Sequence, residues 1–512
     1  MTQLDDVIDV EKDALRRTNS DPGRLAASLA PVPPVDIADA ADFRRLHYYS
    51  GSTPKVSAPV RATIAQTLAT IYDPFISAVL SLDDASFEEM DVAARVEHLL
   101  QASYLADELT PLAPKKETKE TTLTHAFLSL LKSFVGTGIL FLPQGFQRGG
   151  VVFAPILLTA IAIVTVFAML RLLACRARIG GSYSHIGSVV LGPVGHRLVQ
   201  TSLVLMQFGF CCSYIIFVAQ NLRDVSVYFE TPVSLTSLIL LQTLVYIPLS
   251  WIRYMRYFTL SNLVADVFVL YAIVYIMYTN GRTLAVNGIV EPLEGFNTSD
   301  YSIFLGTAVF VFEGIGLIIP TQAALAPSLQ PQFPALLAKT IAGCVVFFSL
   351  FASVNYAAIG NAVQPMILSS LPRTPQTMAV QAGYAFAQTL AYPLFLFPAL
   401  QIVEDVLGFQ RRSSGLKAQK NVVRTLVVLS TVAIAYAGQA HLDLFVSLVG
   451  AFCCVPLGFI YPPWFYLKLA PERHWASKAL DYGTIGLGLF IFFFVTWTNV
   501  VQWYLGSAEN DA

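Results

Sequence analysis

From about residue 120 onward the chain alternates between long apolar runs and short polar connections. Eleven such runs cover approximately 122–145, 150–173, 197–221, 234–253, 257–279, 301–322, 335–360, 376–401, 421–438, 443–467 and 479–504. Each is near the roughly 20 residues that a helix needs to cross a bilayer. Hydrocarbon offers no partner to a free N–H or C=O, so each run is predicted as a helix that satisfies its own backbone. Before residue 120 the pattern changes. Residues 1–60 are acidic and rich in Ala and Pro, including Pro31, Pro33 and Pro34, and are predicted to be a disordered tail. From 61 to 114 the pattern is helical, with Ser86 and Glu89 spaced as a capping box and Met90, Ala94, Leu99 and Leu100 set to line one face. A cytosolic amphipathic helical segment is expected there, either docked as a support or used in regulation or sorting. Residues Lys115 to Lys119 form the hinge into a membrane part expected over 120–505.

Two of the runs are interrupted. The first carries Gly136-Thr137-Gly138 at its middle, with Lys132 one turn earlier. Each glycine lowers helix propensity by about 1 kcal/mol relative to Ala. A broken backbone at membrane depth is tolerated where it faces a cavity or a ligand. Half-helix ends carry partial charge, positive at the N-terminus and negative at the C-terminus. A broken span can thus offer amides to a carboxylate and carbonyls to an ammonium, the two ends of a zwitterion. Taken alone, these glycines read equally well as small packing residues between helices. The sixth run repeats the feature with Phe312-Glu313-Gly314-Ile315-Gly316. A carboxyl at that depth is costly unless it faces protein or water, which makes Glu313 a functional candidate. Paired interruptions in corresponding positions of two halves point to a transporter site. Spans one to five (122–279) and six to ten (301–467) then form two repeats, with 479–504 as an additional helix. An odd number of spans per repeat forces the two halves into opposite orientation.

Composition and charge narrow the picture further. The 512 residues are 55% hydrophobic and 13% charged, which excludes an ordinary soluble enzyme. Residues 1–114 hold 9 Lys and Arg against 18 Asp and Glu, and the remainder hold 23 against 16, so no basic nucleic-acid surface is present. With the N-terminus inside, fifteen Lys and Arg, from Arg171 to Lys478, fall in cytosolic loops. Only Arg148, Arg223, Arg282 and Arg373 fall in the opposite loops. That asymmetry predicts a cytosolic N-terminus and a C-terminus outside. The sequon Asn297-Thr298-Ser299 falls in an outside loop, which makes Asn297 a glycosylation candidate. All six cysteines lie in or beside apolar runs without a Cys-x-x-Cys pair, so neither disulfides nor a metal site is expected. The first 30 residues lack an apolar core, so a cleavable signal peptide is not expected. The sequence has no Gly-x-x-x-x-Gly-Lys-Ser/Thr loop, so ATP is not expected to drive it directly.

Leu130-Leu131-Lys132-Ser133-Phe134-Val135-Gly136-Thr137-Gly138, followed by Leu140-Phe141-Leu142-Pro143, resembles the first-helix signature of the amino acid/auxin permease family. The resemblance is closest to the fungal vacuolar amino acid exporters. Phe312-Glu313-Gly314-Ile315-Gly316 resembles the sixth-helix signature of the same group and of the animal proton-coupled amino acid transporters. It covers about 120–505 and leaves the tail outside. It implies an all-α polytopic membrane protein with a LeuT-like inverted repeat of five plus five helices and one extra helix. It also implies a secondary transporter of amino acids, with proton rather than sodium coupling, in a vacuolar or lysosomal membrane and without a cofactor. One departure stands out. The animal proton-coupled members carry a histidine immediately before the Leu-Leu-Lys, where this chain has Ser129. His125, four residues earlier and on the same helix face, is the candidate in its place.

The expected site therefore comprises Val135, Gly136, Thr137 and Gly138 with Phe312, Glu313, Gly314, Ile315 and Gly316, receiving the substrate's amino and carboxyl groups largely through backbone. Glu313 has two readings: its protonation could alternate with substrate binding or gate closure, or it could pin the unwound segment through hydrogen bonds. Lys132 and Asp266, each about two turns inside the cytosolic edge of spans one and five, are expected to be buried and paired, closing the cytosolic path. A buried charge without a partner is strongly destabilising. Glu404, Asp405, His441 and Asp443 read as solvated interfacial groups, and Trp464, Trp475, Trp497 and Trp503 as an interfacial belt. The expected partners are a neutral amino acid, a proton, the lipid bilayer and a cytosolic protein that meets the tail. The rival readings are an amino-acid sensor that signals through its tail and a plasma-membrane permease. A channel is disfavoured for want of a pore motif, and an enzyme for want of a nucleophile–base constellation in the spans.

Overall fold

The computed structural model describes residues 121–253, 258–290, 292–409, 414–472 and 474–510. The acidic tail and the helical segment expected before residue 114 lie outside the described residues. Nearly all the described backbone is helical, and ten stretches are long and apolar enough to cross a membrane. Span one is split into α1 (Leu123–Phe134) and α2 (Leu142–Gly149), joined by a tight 3-10 segment over Thr137–Phe141. Span two is α3 (Phe153–Ile179) and span three lies in α4 (Tyr183–Tyr228). Span four is α5 (Leu235–Ser250) and span five is α6 (Phe258–Asn287). Span six is split again, into α7 (Tyr301–Val311) and α8 (Ile315–Ala324). Spans seven to nine are α9 (Phe333–Ile359), α10 (Pro375–Val406) and α11 (Ser414–Gly438). In span ten, α12 (Leu442–Leu448) and α13 (Tyr461–Leu469) flank π-helical turns over Val449–Cys454 and Pro456–Ile460. Span eleven is α14 (Trp475–Asn510).

Two expectations about the spans need correction. The fourth apolar run forms a helix of only 16 residues. At about 1.5 Å per residue that is roughly 24 Å, short of the ~30 Å hydrocarbon core. The third helix is longer than expected, 46 residues, because it fuses two helices across Gly192, at φ 65°, and Pro193. Only glycine enters that φ readily, and proline supplies no N–H to the preceding turn. The stretch Tyr183–Leu191 is thus a separate short helix ahead of the membrane span.

Span six is the hub. Of its apolar window, 83% is buried, against 28% for spans five and eleven. Glycines allow that enclosure: a Cβ on Gly306 of α7 would strike Ser447, and one on Gly450 would strike the Gly306 carbonyl. The backbones of spans six and ten therefore touch. The chain entering span one is tied to span six as well, since the Thr121 amide donates to the Ala324 carbonyl (3.2 Å). The start of α1, near Thr121, marks one end of the bundle, called here the entry face. The end of α2 marks the far face. The six cysteines are buried packing residues, while Trp475 and Trp497 point outward.

Glu404 is not the solvated end-of-span charge expected. It is buried and accepts from Arg424 Nε (2.6 Å), with Lys420 Nζ at 3.0 Å. Arg424 also donates to the carbonyls of Ser250 (2.7 Å) and Ile252 (3.0 Å). This network joins spans four, eight and nine where α5 ends, and it occupies backbone carbonyls that the helix terminus leaves free.

Candidate functional site

The two interrupted spans break where the sequence places them, and the breaks press on each other. A Cβ on Gly138 would stand 3.2 Å from Cα and Cγ2 of Val311, the last residue of α7. One on Gly314 would stand 2.8 Å from both the Phe134 ring and Ser133 Oγ at the end of α1. Glycine is what permits this approach. The other sides of the breaks are open. A Cβ on Gly136 would meet no atom within 4 Å, and one on Gly316 only the tip of Met206 at 4.0 Å. Val135, Gly136, Gly138, Glu313 and Gly316 are accordingly half-buried, whereas Thr137, Phe312, Gly314 and Ile315 are packed away.

Hydrogen bonding decides which groups are free to act. The amides of Val135 and Gly136 are used, donating to Leu131 O (2.8 Å) and Phe134 O (3.1 Å). Thr137 and Gly138 open the second half of span one, where the first N–H groups of a helix have no intrahelical partner. In span six the corresponding position is already engaged: Ile315 N donates to Glu313 Oε1 at 3.2 Å. The Glu313 carboxyl thus sits on the N-terminus of its own half-helix, an arrangement that the partial positive charge there favours. Free amides remain on span one.

A third wall comes from span three, whose individual residues the sequence does not single out. Tyr214 comes close to Thr137. Phe210 packs on Phe310 of α7, with ring centroids 4.6 Å apart. Phe395 of α10 packs on Phe210 (5.9 Å) and edge-on to Tyr214 (5.2 Å).

Charged groups lie toward each end of the site. Near the entry face, Lys132 and Asp266 form the expected ion pair, Nζ to Oδ2 at 2.6 Å. The expected burial is absent: the two side chains are 49% and 41% exposed. Among the described residues this stretch of α1 is left uncovered, as its outward-facing neighbours Phe127 and Leu128 show. His125 is exposed in the first turn of α1, and its backbone amide donates to Thr122 Oγ1 (3.4 Å). It lies eleven positions before Gly136, about 16 Å along a helix.

At the far face the structure holds a cluster the sequence reading missed. Arg148, at the end of α2, donates to Asp300 Oδ2 (2.5 Å) and to Asp443 Oδ2 (2.7 Å). Gln144 Nε2 stands 3.5 Å from the same Asp443 oxygen. Asp443 is therefore a buried, paired carboxylate rather than a solvated one. Arg148 links spans one, six and ten, and two carboxylates around one guanidinium make a charge-assisted clamp. Asn297, the sequon residue, shapes this corner: its Oδ1 accepts from the amides of Ser299 (3.0 Å) and Asp300 (3.2 Å). Arg148 as one of only four basic residues in the opposite loops, and Asp443 in the first turn of a span, were the signals available.

Residues 119–501 match the family described as "Transmembrane amino acid transporter protein". The chain is 37% identical over 377 residues to "Vacuolar amino acid transporter 3" of Schizosaccharomyces pombe, covering 73% of this chain and 57% of that one. It is 35% identical to "Vacuolar amino acid transporter 3" of Saccharomyces cerevisiae, covering 75% and 57%. Similarity to "Amino acid transporter ANT1" of Arabidopsis thaliana is 26% and covers 76% of this chain and 95% of that one. The aligned part thus spans a little over half the length of the yeast relatives.

Proposed function

This chain belongs to the transmembrane amino acid transporter protein family, and from that premise we propose that it is a secondary active transporter of neutral amino acids, working by alternating access between its two broken helices. The observation that carries the reading is the pair of helix breaks, sealed against each other on one side and bordering open space at Gly136 and Gly316 on the other. The substrate carboxylate seats on the amides of Thr137 and Gly138, at the positive end of a half-helix. Its ammonium faces the carbonyl ends of α1 and α7 and the carboxyl of Glu313. Among the described residues at the breaks, Glu313 is the one ionisable side chain. A substrate with a side-chain carboxylate would find no cation there, which supports neutral over acidic substrates.

The positive-inside asymmetry supports a cytosolic entry face and a luminal far face. The Arg148 clamp then closes the luminal path, the Lys132–Asp266 pair closes the cytosolic path, and transport requires them to open in turn. The names of the yeast relatives support a vacuolar-type membrane. A proton on Glu313 would free the Ile315 amide from its ionic partner, which gives protonation a route to the substrate site. The test is uptake of labelled amino acids into proteoliposomes with and without an imposed pH gradient, for wild type and Glu313→Gln. Gradient-driven uptake lost in the variant, with exchange retained, is the expected result. Concentrative uptake equal to wild type would remove Glu313 from coupling, and failure to carry any amino acid would favour a sensor.

A further inference from the structure

Span four runs toward the entry face and ends early: α5 stops at Ser250, and Trp251 and Arg253 follow beside the start of α11. A span shorter than the hydrocarbon core draws the headgroup layer in to meet it, so this edge of the bundle stands among lipid headgroups. Its side chains suit that setting. Trp251 is exposed, and its Nε1 donates to Thr425 Oγ1 of α11 (3.1 Å), which ties an interfacial type of residue across the seam of the two helices. Arg253 reaches over the same seam, donating to the Lys417 carbonyl (3.1 Å) and to Asn421 Oδ1 (2.9 Å).

Charge gathers at this corner unevenly. Arg424 and Lys420 are spent on Glu404, and Arg424 also on the carbonyls of Ser250 and Ile252. Arg253 and Lys417 are left over: among the described residues neither has a carboxylate partner, and the Lys417 side chain is exposed. Two hydrogen bonds fix the Arg253 guanidinium, which carries five N–H donors, so the rest remain for another acceptor. A guanidinium held in place beside a free ammonium offers a phosphate both planar donors and a point charge. On the same two helices, Leu241 and Leu244 of α5 and Val422 and Leu426 of α11 turn apolar side chains outward. A soluble phosphate would use only the cations, whereas a phospholipid uses both parts of the surface.

We propose that the corner between the end of span four and the start of span nine binds an anionic phospholipid, with its phosphate on Arg253 and Lys417 and its acyl chains along α5 and α11. The proposal goes beyond the transporter reading and takes from it only the placement of the entry face on the cytosolic side. The bound headgroup adjoins the Arg424–Glu404 network, so the lipid braces spans four, eight and nine where they meet.

The experiment follows the unfolding midpoint of the full chain in phosphatidylcholine mixed micelles as phosphatidylinositol is titrated in, a readout that needs no transport. The midpoint should rise and saturate. The half-saturating concentration should increase about fivefold in Lys417→Gln and in Arg253→Gln, the loss of one basic contact at a membrane surface, and stay near wild type in Lys417→Arg. Arg253→Gln also loses its bonds to α11, so Lys417→Gln, which removes only an exposed side chain, decides if the other fails to fold. Arg197→Gln, at an exposed basic residue elsewhere on the entry face, should bind as wild type does. Equal weakening by Arg197→Gln and Lys417→Gln, or no rise beyond that given by added phosphatidylcholine, overturns the site. Equal stabilisation by soluble inositol phosphate overturns the lipid in favour of a free anion.

Discussion

Alanine at Gly136 and alanine at Gly314 are the same chemical change in the two halves of one site, and the structure predicts opposite consequences. At Gly136 the added methyl meets nothing within 4 Å, and the backbone φ of −120° is ordinary for an L-residue. A compatible Gly→Ala change stabilises by about 0.4–1 kcal/mol through the unfolded chain, so the folded protein should be as stable as wild type or slightly more so. Transport should nevertheless fail, because the methyl occupies the space beside the amides assigned to the substrate carboxylate. A tenfold loss of apparent affinity, about 1.4 kcal/mol, is the minimum expected. At Gly314 the methyl would stand 2.8 Å from the Phe134 ring and from Ser133 Oγ. Carbon contacts prefer about 3.5–4.0 Å, and Phe134 is buried at 2% exposure, with no room to swing aside. Overpacking of this kind costs roughly 1–3 kcal/mol. The assay pairs thermal unfolding of the purified variants with uptake in proteoliposomes. Gly136→Ala should keep its unfolding midpoint and lose uptake, and Gly314→Ala should lose both. A Gly136→Ala protein that transports with wild-type KM would refute the placement of the substrate at this break.

Two further predictions concern the ends of the site. Lys132 and Asp266 are too exposed for their pair to add more than about 0–1 kcal/mol to stability, so single alanine variants should unfold like wild type. Their effects on transport rate should be coupled, with the double variant close to either single one; independent effects would show that the pair is not a gate. Arg148→Ala leaves the buried Asp443 without its cation. Breaking a buried pair costs about 3–5 kcal/mol, toward the lower end here because Arg148 and Asp300 are 28% and 24% exposed. Adding Asp443→Asn to Arg148→Ala should recover part of the unfolding midpoint, and strictly additive losses would contradict the clamp.

The sequence exposes the spans and both breaks for a local reason. Long apolar runs have few other solutions, and Gly136-Thr137-Gly138 and Gly314-Ile315-Gly316 weaken the helix where they stand. The Lys132–Asp266 pair was legible because a charge within an apolar run demands a partner. Glu404 and Asp443 read as solvated because each sits near the end of its span, where solvation is the commoner fate. Their partners, Arg424 and Arg148, are brought to them by helix packing. The kink at Gly192-Pro193 carried a local signal, a glycine before a proline, that an apolar-run reading passes over. The span-three wall carried none, since Phe210 and Tyr214 acquire meaning only when spans one, six and eight pack around them.

In the proposed mechanism one amino acid at a time occupies the space between the broken helices and is exposed to each side in turn. Counterflow tests it without assuming any coupling ion. Proteoliposomes preloaded with an unlabelled neutral amino acid are diluted into a trace of the labelled one, with no pH or sodium gradient. Alternating access at this site predicts transient accumulation of label inside, abolished in Gly136→Ala. Equilibration without overshoot, or counterflow that survives Gly136→Ala undiminished, would contradict it.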